Sequence, residues 1–139
     1  MKFGTNGVAV VTGGAGGLGA AIAKRLAEEG VKVAVADFNK EGLNEVVAEI
    51  KSNGGEAFGF KCDVTKRGEV KALGEKVIEQ YGRLDILVNN AGITRDSSFK
   101  KMTDEQWDKV IDVDLKSLFI VTQELCKYME ANNYGRIIN

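Results

Sequence analysis

Short apolar runs alternate with helical patterns along this chain, and that alternation restricts the fold more than any other feature of the sequence. Val8-Ala9-Val10-Val11 is a continuous apolar run, as expected of a parallel strand buried on both faces. Leu18, Ala21, Ile22 and Leu26 then recur at helical spacing, and Gly30 stands where a glycine ends a helix. Val31–Ala36 reads as a second strand, closed by Asp37. Asn39 is placed to cap a second helix through Leu43, Val46, Val47 and Ile50, which stops at Gly54-Gly55. Ala57–Cys62 is a third strand, and Thr65 is placed to cap a third helix through Val70, Leu73, Val77 and Tyr81, closed by Gly82. Leu84–Val88 is a fourth strand, followed by a loop from Ala91 to Met102. Thr103-Asp104-Glu105-Gln106 has the pattern of a capping box. It opens one long helix with Trp107, Val110, Ile111, Leu118, Val121, Leu125 and Met129 on its apolar side, Trp107 being expected in the core. Gly135–Asn139 begins a fifth strand.

Strands and helices in alternation build a parallel sheet with helices on both faces. Right-handed crossovers leave few topologies, and strand order 3-2-1-4-5 is the natural one. The expectation is an α/β, Rossmann-type, doubly wound sheet: a single dinucleotide-binding domain over residues 1–139 that stops within its fifth strand.

The turn after the first strand carries the chemistry. Val11-Thr12-Gly13-Gly14-Ala15-Gly16-Gly17-Leu18-Gly19 contains a literal G-x-G-x-x-G at Gly14, Gly16 and Gly19. It also contains a looser T-G-x-x-x-G-x-G at Thr12, Gly13, Gly17 and Gly19. In either frame the glycines permit a tight turn and close backbone approach to a pyrophosphate, while the helix start supplies free N–H groups and a positive dipole end. The position of the segment between a strand and a helix is the context such a motif requires. Asp37 follows Gly19 by 18 positions, near the roughly 20-residue offset of the acidic residue that hydrogen-bonds a ribose 2′-hydroxyl. A carboxylate there repels a 2′-phosphate, and no Arg or Lys lies in the glycine loop to neutralise one. NAD(H) is therefore favoured over NADP(H).

Composition excludes other classes. The net charge is −1 with scattered basic residues, and Lys100-Lys101 is too short for a nucleic-acid patch. There is no histidine, which removes His-based triads, His metal sites and imidazole acid–base chemistry. Cys62 and Cys126 have neither metal spacing nor a disulfide framework, and both are expected reduced and packed. No metal site is expected. No apolar run approaches membrane length and no leader is recognisable, so a cytoplasmic location is the default.

Thr12–Gly19, Asp37, Cys62-Asp63-Val64 and Asn89-Asn90-Ala91-Gly92 stand in the order and spacing of the short-chain dehydrogenase/reductase family, and the chain resembles the cofactor-binding half of that family. The resemblance implies that Asp63 and Val64 line an adenine pocket, with Asp63 meeting the exocyclic amine. It implies that Asn90, Ala91 and Gly92 lie beside the cofactor ribose, Asn89-Asn90 also tying neighbouring strands together. Leu18, Phe38, Cys62 and Val113 complete the cofactor-binding set it implies. Gly92-Ile93-Thr94-Arg95-Asp96, with Met102-Thr103 and Trp107, is similar to the β-ketoacyl-carrier-protein and acetoacetyl-CoA reductase branch. That branch reduces a 3-oxoacyl thioester to a 3-hydroxyacyl thioester by hydride transfer. Arg95 and Asp96 also read as a surface ion pair.

The sequence departs from that pattern in two places. The branch commonly uses NADPH with a basic residue in the glycine loop, where this chain has Gly16 and Asp37. The family's catalytic asparagine falls on Asp114, three residues from Ile111 and four from Leu118, which reads as a partly buried carboxylate. An aspartate accepts the same hydrogen bonds but adds charge and lacks two donors. In the family a tyrosine and the lysine four positions after it, a general acid with a tuned pKa, come after this point; within these 139 residues Tyr81, Tyr128 and Tyr134 are followed at that spacing by Asp85, Asn132 and Ile138. The expectation is the NAD(H)-binding portion of an oxidoreductase of about 250 residues, inactive by itself, whose completed form acts on an acyl thioester or similar ketone or alcohol. The alternatives are a non-catalytic NAD(H)-binding module, or a half-protein that needs a complementing C-terminal segment. The open edge of the fifth strand predicts pairing with another chain and a homo-oligomer.

Overall fold

The structure, a computed structural model, describes residues 6–139. Parallel strands β1 (Val8–Thr12), β2 (Lys32–Asp37), β3 (Ala57–Lys61), β4 (Ile86–Val88) and β5 (Arg136–Ile138) form one sheet. The order is β3-β2-β1-β4-β5, as the crossover rules predict. In register, Val10 lies beside Ala34 on one side and Leu87 on the other. Every residue of β1 is buried, because helices cover both faces of the strand. The fourth strand is shorter than its apolar run, Leu84 and Asp85 preceding it. No helix is long and apolar enough to cross a membrane among the described residues.

On one face α1 (Gly17–Glu28) and α2 (Lys40–Ser52) close over Val11, Val33, Val35 and Val88. On the other, α3 (Arg67–Tyr81) and α5 (Ser117–Ala131) close over Val8, Val10, Ala36 and Leu87. The buried face of α1 is Gly19, Ala20, Ala23 and Ala27, not the stripe starting at Leu18 and Ala21. Leu18 is 78% exposed, Ala21 is exposed, and Ile22 and Leu26 pack at the margin. Small residues face inward because α1 lies close over the glycine loop: a Cβ on Gly19 would run into the Gly13 carbonyl.

The N–H of Gly42 donates to Asn39 Oδ1 at 3.2 Å, capping α2 as expected. Gly82, with φ of 74°, ends α3 in the left-handed conformation that favours glycine. Thr65 does not cap α3. Its hydroxyl donates to Asp63 Oδ1 at 2.6 Å, leaving Lys66 at the N-cap with no side-chain bond. Glu69, in the first turn of the helix, accepts the Asp63 N–H at 2.7 Å.

The capping box forms at Thr103 and Gln106 and opens α4 (Asp104–Ile111). The single long helix does not follow. A π-helical turn over Asp112–Lys116 separates α4 from α5. Its extra residue turns the following side chains by about 100° relative to an unbroken α-helix. The buried stripe becomes Val113, Ser117, Ile120, Val121, Leu125 and Met129. Ile111 and Leu118 are half-buried, and Trp107 is 59% exposed rather than in the core.

At the amino ends of the strands, Asp85 is 2% exposed. It accepts the Val8 N–H at 2.9 Å and Arg83 through Nε at 2.8 Å and Nη2 at 2.6 Å. Its own backbone accepts the Arg136 N–H at 2.9 Å, so one residue ties β1, β4 and β5. These bonds and the Asp85 charge hold the Arg83 guanidinium pKa above its ordinary value.

Candidate functional site

The carboxyl ends of β1, β2 and β4 meet the segment after β3, the place where open parallel sheets bind ligands. Thr12 ends β1 and is buried. Its hydroxyl donates to the Val88 carbonyl at 3.3 Å and accepts the N–H groups of Asn90 and Ala91, each at 3.1 Å. Asn90 returns its Nδ2 to the carbonyls of Thr12 at 3.1 Å and Gly13 at 3.0 Å. The glycine loop and the strand after it are thereby locked together. Asn89 bonds Thr122 and Asn139 through its own Nδ2, at 3.2 and 2.8 Å, which is the tie expected of the asparagine pair.

The loop needs its glycines unequally. Gly13 has φ of 64°, and a Cβ there would meet Ala91 Cα at 2.8 Å. Gly14 has no room for a Cβ against Val35. Gly16 and Gly17 face open space. No side chain caps α1 and no acidic residue lies in its first turn, so the first N–H groups of the helix are left to an anion. Leu18 sits exposed at the mouth of the loop.

Asp37 ends β2. Its Oδ2 accepts the Ala15 N–H at 3.0 Å and its Oδ1 accepts the Asn39 N–H at 2.9 Å. Each oxygen keeps a lone pair for a hydroxyl donor. Gly13, Asp37, Phe38, Cys62, Asp63, Val64, Ala91, Gly92 and Val113 line one cleft of about 390 Å³, together with Ile93, Arg95 and Lys109. An adjoining hollow of about 350 Å³ is lined by Gly13, Ala15, Gly16, Asp37, Asn39, Asn90 and Gly92. The structure thus brings most of the expected cofactor residues to one place, with Thr12, Gly14 and Gly19 buttressing the loop from behind, while Gly17 and Leu18 line neither hollow. A bare loop backbone beside a helix start, a carboxylate with free lone pairs, and a cleft with apolar walls fit a dinucleotide.

Burial pushes the Cys62 thiol up to about 12, the charges of Glu69 and Asp63 adding to it. For Asp63, partial burial acts to raise the pKa, but the two hydrogen bonds from Thr65 and the charges of Lys66 and Lys109 hold it below the ordinary carboxylate value. Lys109 carries no glycine-loop or strand-end signature. It lies one helical turn before Val113, and that spacing is the signal that could have found it. Arg95 lines the cleft and donates Nη1 to the Thr94 carbonyl at 2.8 Å. It forms no ion pair with Asp96, contrary to the surface-pair reading.

Asp114 lies in the π-helical turn and is exposed, not partly buried. The turn carries its side chain off the buried stripe. Its Oδ1 accepts the Ile93 N–H at 2.8 Å, which fixes the chain just past Gly92. It does not line the cleft itself.

Comparison with known proteins places these motifs in context. A family model described as short chain dehydrogenase matches residues 7–139. The chain is 43% identical over 132 residues to a 3-oxoacyl-(acyl-carrier-protein) reductase of Thermotoga maritima, covering 95% of this chain and 54% of that protein. It is 42% identical over 132 residues to the short-chain reductase protein NovJ of Streptomyces niveus, covering 95% and 50%. Among solved structures, a variant of the actinorhodin polyketide ketoreductase with NADPH superposes with a TM-score of 0.92 at 39% identity, covering 99% of this chain and 53% of that one. The chain therefore spans about half the length of the relatives it matches.

Proposed function

Because the chain belongs to the short chain dehydrogenase family, we propose that it is the dinucleotide-binding portion of an oxidoreductase acting on a 3-oxoacyl or 3-hydroxyacyl thioester or a similar ketone or alcohol. The observation that carries this is the convergence of the glycine loop, Asp37, Asp63 and Asn90 around one pair of adjoining hollows. When bound, a nicotinamide dinucleotide supplies or accepts the hydride. The chain's own residues bind and orient it. The backbone from Gly13 to Gly19 and the start of α1 take the diphosphate, Asp37 takes the adenosine ribose, and Asp63 with Val64, Phe38 and Cys62 surrounds the adenine. Asn90, Ala91 and Gly92 lie beside the cofactor ribose and Val113 lines the same cleft, with Asp114 steadying Ile93 behind them. The acyl-thioester class rests on the reductase names of the relatives.

NAD(H) is the favoured dinucleotide. Asp37 puts negative charge where a 2′-phosphate would lie, and the glycine loop carries no cation. The ketoreductase neighbour is described with NADPH and lends this preference no support. Titration of the full chain with NADH and NADPH tests both points: binding of NADH supports the reading, and binding of neither sinks it.

No tyrosine in these 139 residues has a lysine four positions later. That observation favours a second reading beside the first, in which these residues alone turn over no ketone and act only with a complementing C-terminal segment. Activity that appears on mixing with such a segment would support it. The proposal includes a homo-oligomer, supported by Leu115 and Phe119, exposed on the outer side of the π-turn and α5, and tested by sedimentation.

A further inference from the structure

We propose that Lys61 is a positioning residue of the cleft: its ammonium holds the Phe38 ring as a wall for adenine, and it acts through that ring rather than on a phosphate. The inference rests on the dinucleotide reading above.

The ends of β2 and β3 place the two side chains together. Asp37 stands in register with Lys61, and the Cys62 N–H donates to the Asp37 carbonyl at 2.9 Å, pinning the strand ends beside Phe38. Lys61 Nζ lies 5.0 Å from the centre of the Phe38 ring, within the range of a cation–π contact. Phe38 is 65% exposed, and it lines the cleft beside Asp63 and Val64. A large apolar ring left in water at a cleft wall is costly unless a ligand covers it, and a free ring must lose rotamer freedom when it is covered. The ammonium restricts the ring beforehand, so less freedom is lost on binding. Lys66, the next lysine along, spends its charge differently, 3.9 Å from Asp63 and 3.8 Å from Glu69.

The test is a titration of the full chain with AMP, NAD⁺, NADP⁺ and nicotinamide mononucleotide, for wild type, Lys61→Met and Lys61→Arg, and for Lys61→Met in a Phe38→Leu background. Lys61→Met should weaken AMP, NAD⁺ and NADP⁺ alike, by about two- to five-fold, the strength of an exposed cation–π contact. It should leave nicotinamide mononucleotide unchanged, and Lys61→Arg should restore the loss. With Phe38→Leu already present, Lys61→Met should add nothing. A loss confined to NADP⁺ would overturn the inference by assigning Lys61 to the 2′-phosphate. So would a loss that persists without the ring, or no loss at all, while wild-type binding of NAD⁺ keeps the dinucleotide reading intact. Wild type that binds neither AMP nor NAD⁺ would overturn both.

Discussion

Asp37 Oδ2 accepts the backbone N–H of Ala15 at 3.0 Å across 22 residues of sequence. The acidic residue at the end of β2 therefore shapes the glycine loop as well as facing the cleft. Substituting Asp37→Ala removes that bond, the Asn39 bond and the proposed acceptor for the ribose hydroxyls. Hydrogen bonds to a charged group contribute about 1.5–3 kcal/mol each, so NADH affinity should fall by about 10- to 100-fold, each tenfold being about 1.4 kcal/mol. NADPH affinity should fall less, because the repulsion of its 2′-phosphate goes too. Fluorescence titration of the two reduced dinucleotides reads both changes.

Two glycines separate structural need from ligand need. A Cβ on Gly19 meets the Gly13 carbonyl and the Asn90 amide, whereas one on Gly16 meets nothing within 4 Å. Gly19→Ala should cost about 1–3 kcal/mol of stability by overpacking, and Gly16→Ala should stay within about 0.5 kcal/mol of wild type. Urea unfolding of the two variants gives the comparison. Equal stability losses would mean the loop is not held against Asn90 as described.

Asp85 lies at the far end of the sheet from the cleft. Removing its carboxylate leaves the buried Val8 N–H without a partner, while half-exposed Arg83 regains water. Asp85→Ala should destabilise the fold by about 2–3 kcal/mol, the cost of an unsatisfied buried donor plus a lost charged bond. Dinucleotide affinity of the folded fraction should stay unchanged. A drop in affinity at full folding would place Asp85 in communication with the cleft.

Cys62 is buried with its thiol pushed up to about 12, and Cys126 is half-buried. In the native protein, iodoacetamide should reach Cys126 first, and a ligand in the cleft should slow Cys62 further. The raised pKa also sets an alkaline limit. The folded protein holds the Cys62 proton more tightly than the unfolded chain, whose value is 9.0. Its contribution is complete below pH 9 and is lost as pH rises toward 12, at about 1.4 kcal/mol per pH unit. Tyr81, pushed up to about 12 by burial and then by Glu56, steepens the decline above pH 10. Cys62→Ala should flatten the stretch between pH 9 and 10, followed by denaturation at stepped pH.

The elements that position the cleft were legible because each carried its own local mechanism. The unbroken Val8–Val11 run indicated a strand covered on both faces, and the Asn39 cap and the Thr103–Gln106 box formed as their spacing predicts. Close packing, local competition for hydrogen bonds and a break in helical period decided the rest. Leu18 and Ala21 lie on the outer side of α1 because the glycine loop admits only small residues beneath that helix. Thr65 gives its hydroxyl to Asp63, a competitor two residues away that a cap pattern does not weigh. Leu118 and Asp114 shift for one reason, the π-helical turn at Asp112–Lys116 that breaks the 3.6-residue period, whereas Trp107 precedes that turn in α4, which buries none of its residues. Lys61 and Lys109 are silent in the sequence: strand register sets Lys61 beside Asp37 and the Phe38 ring, and one helical turn brings Lys109 to the cleft.

The role of Asp37 is tested most directly by the ratio of NADH to NADPH affinity for the full chain, by calorimetry at moderate salt. NADH should bind at least about tenfold more tightly, the effect of one carboxylate that accepts the ribose hydroxyl and repels a phosphate. Equal affinity, or tighter binding of NADPH, would contradict the role given to Asp37.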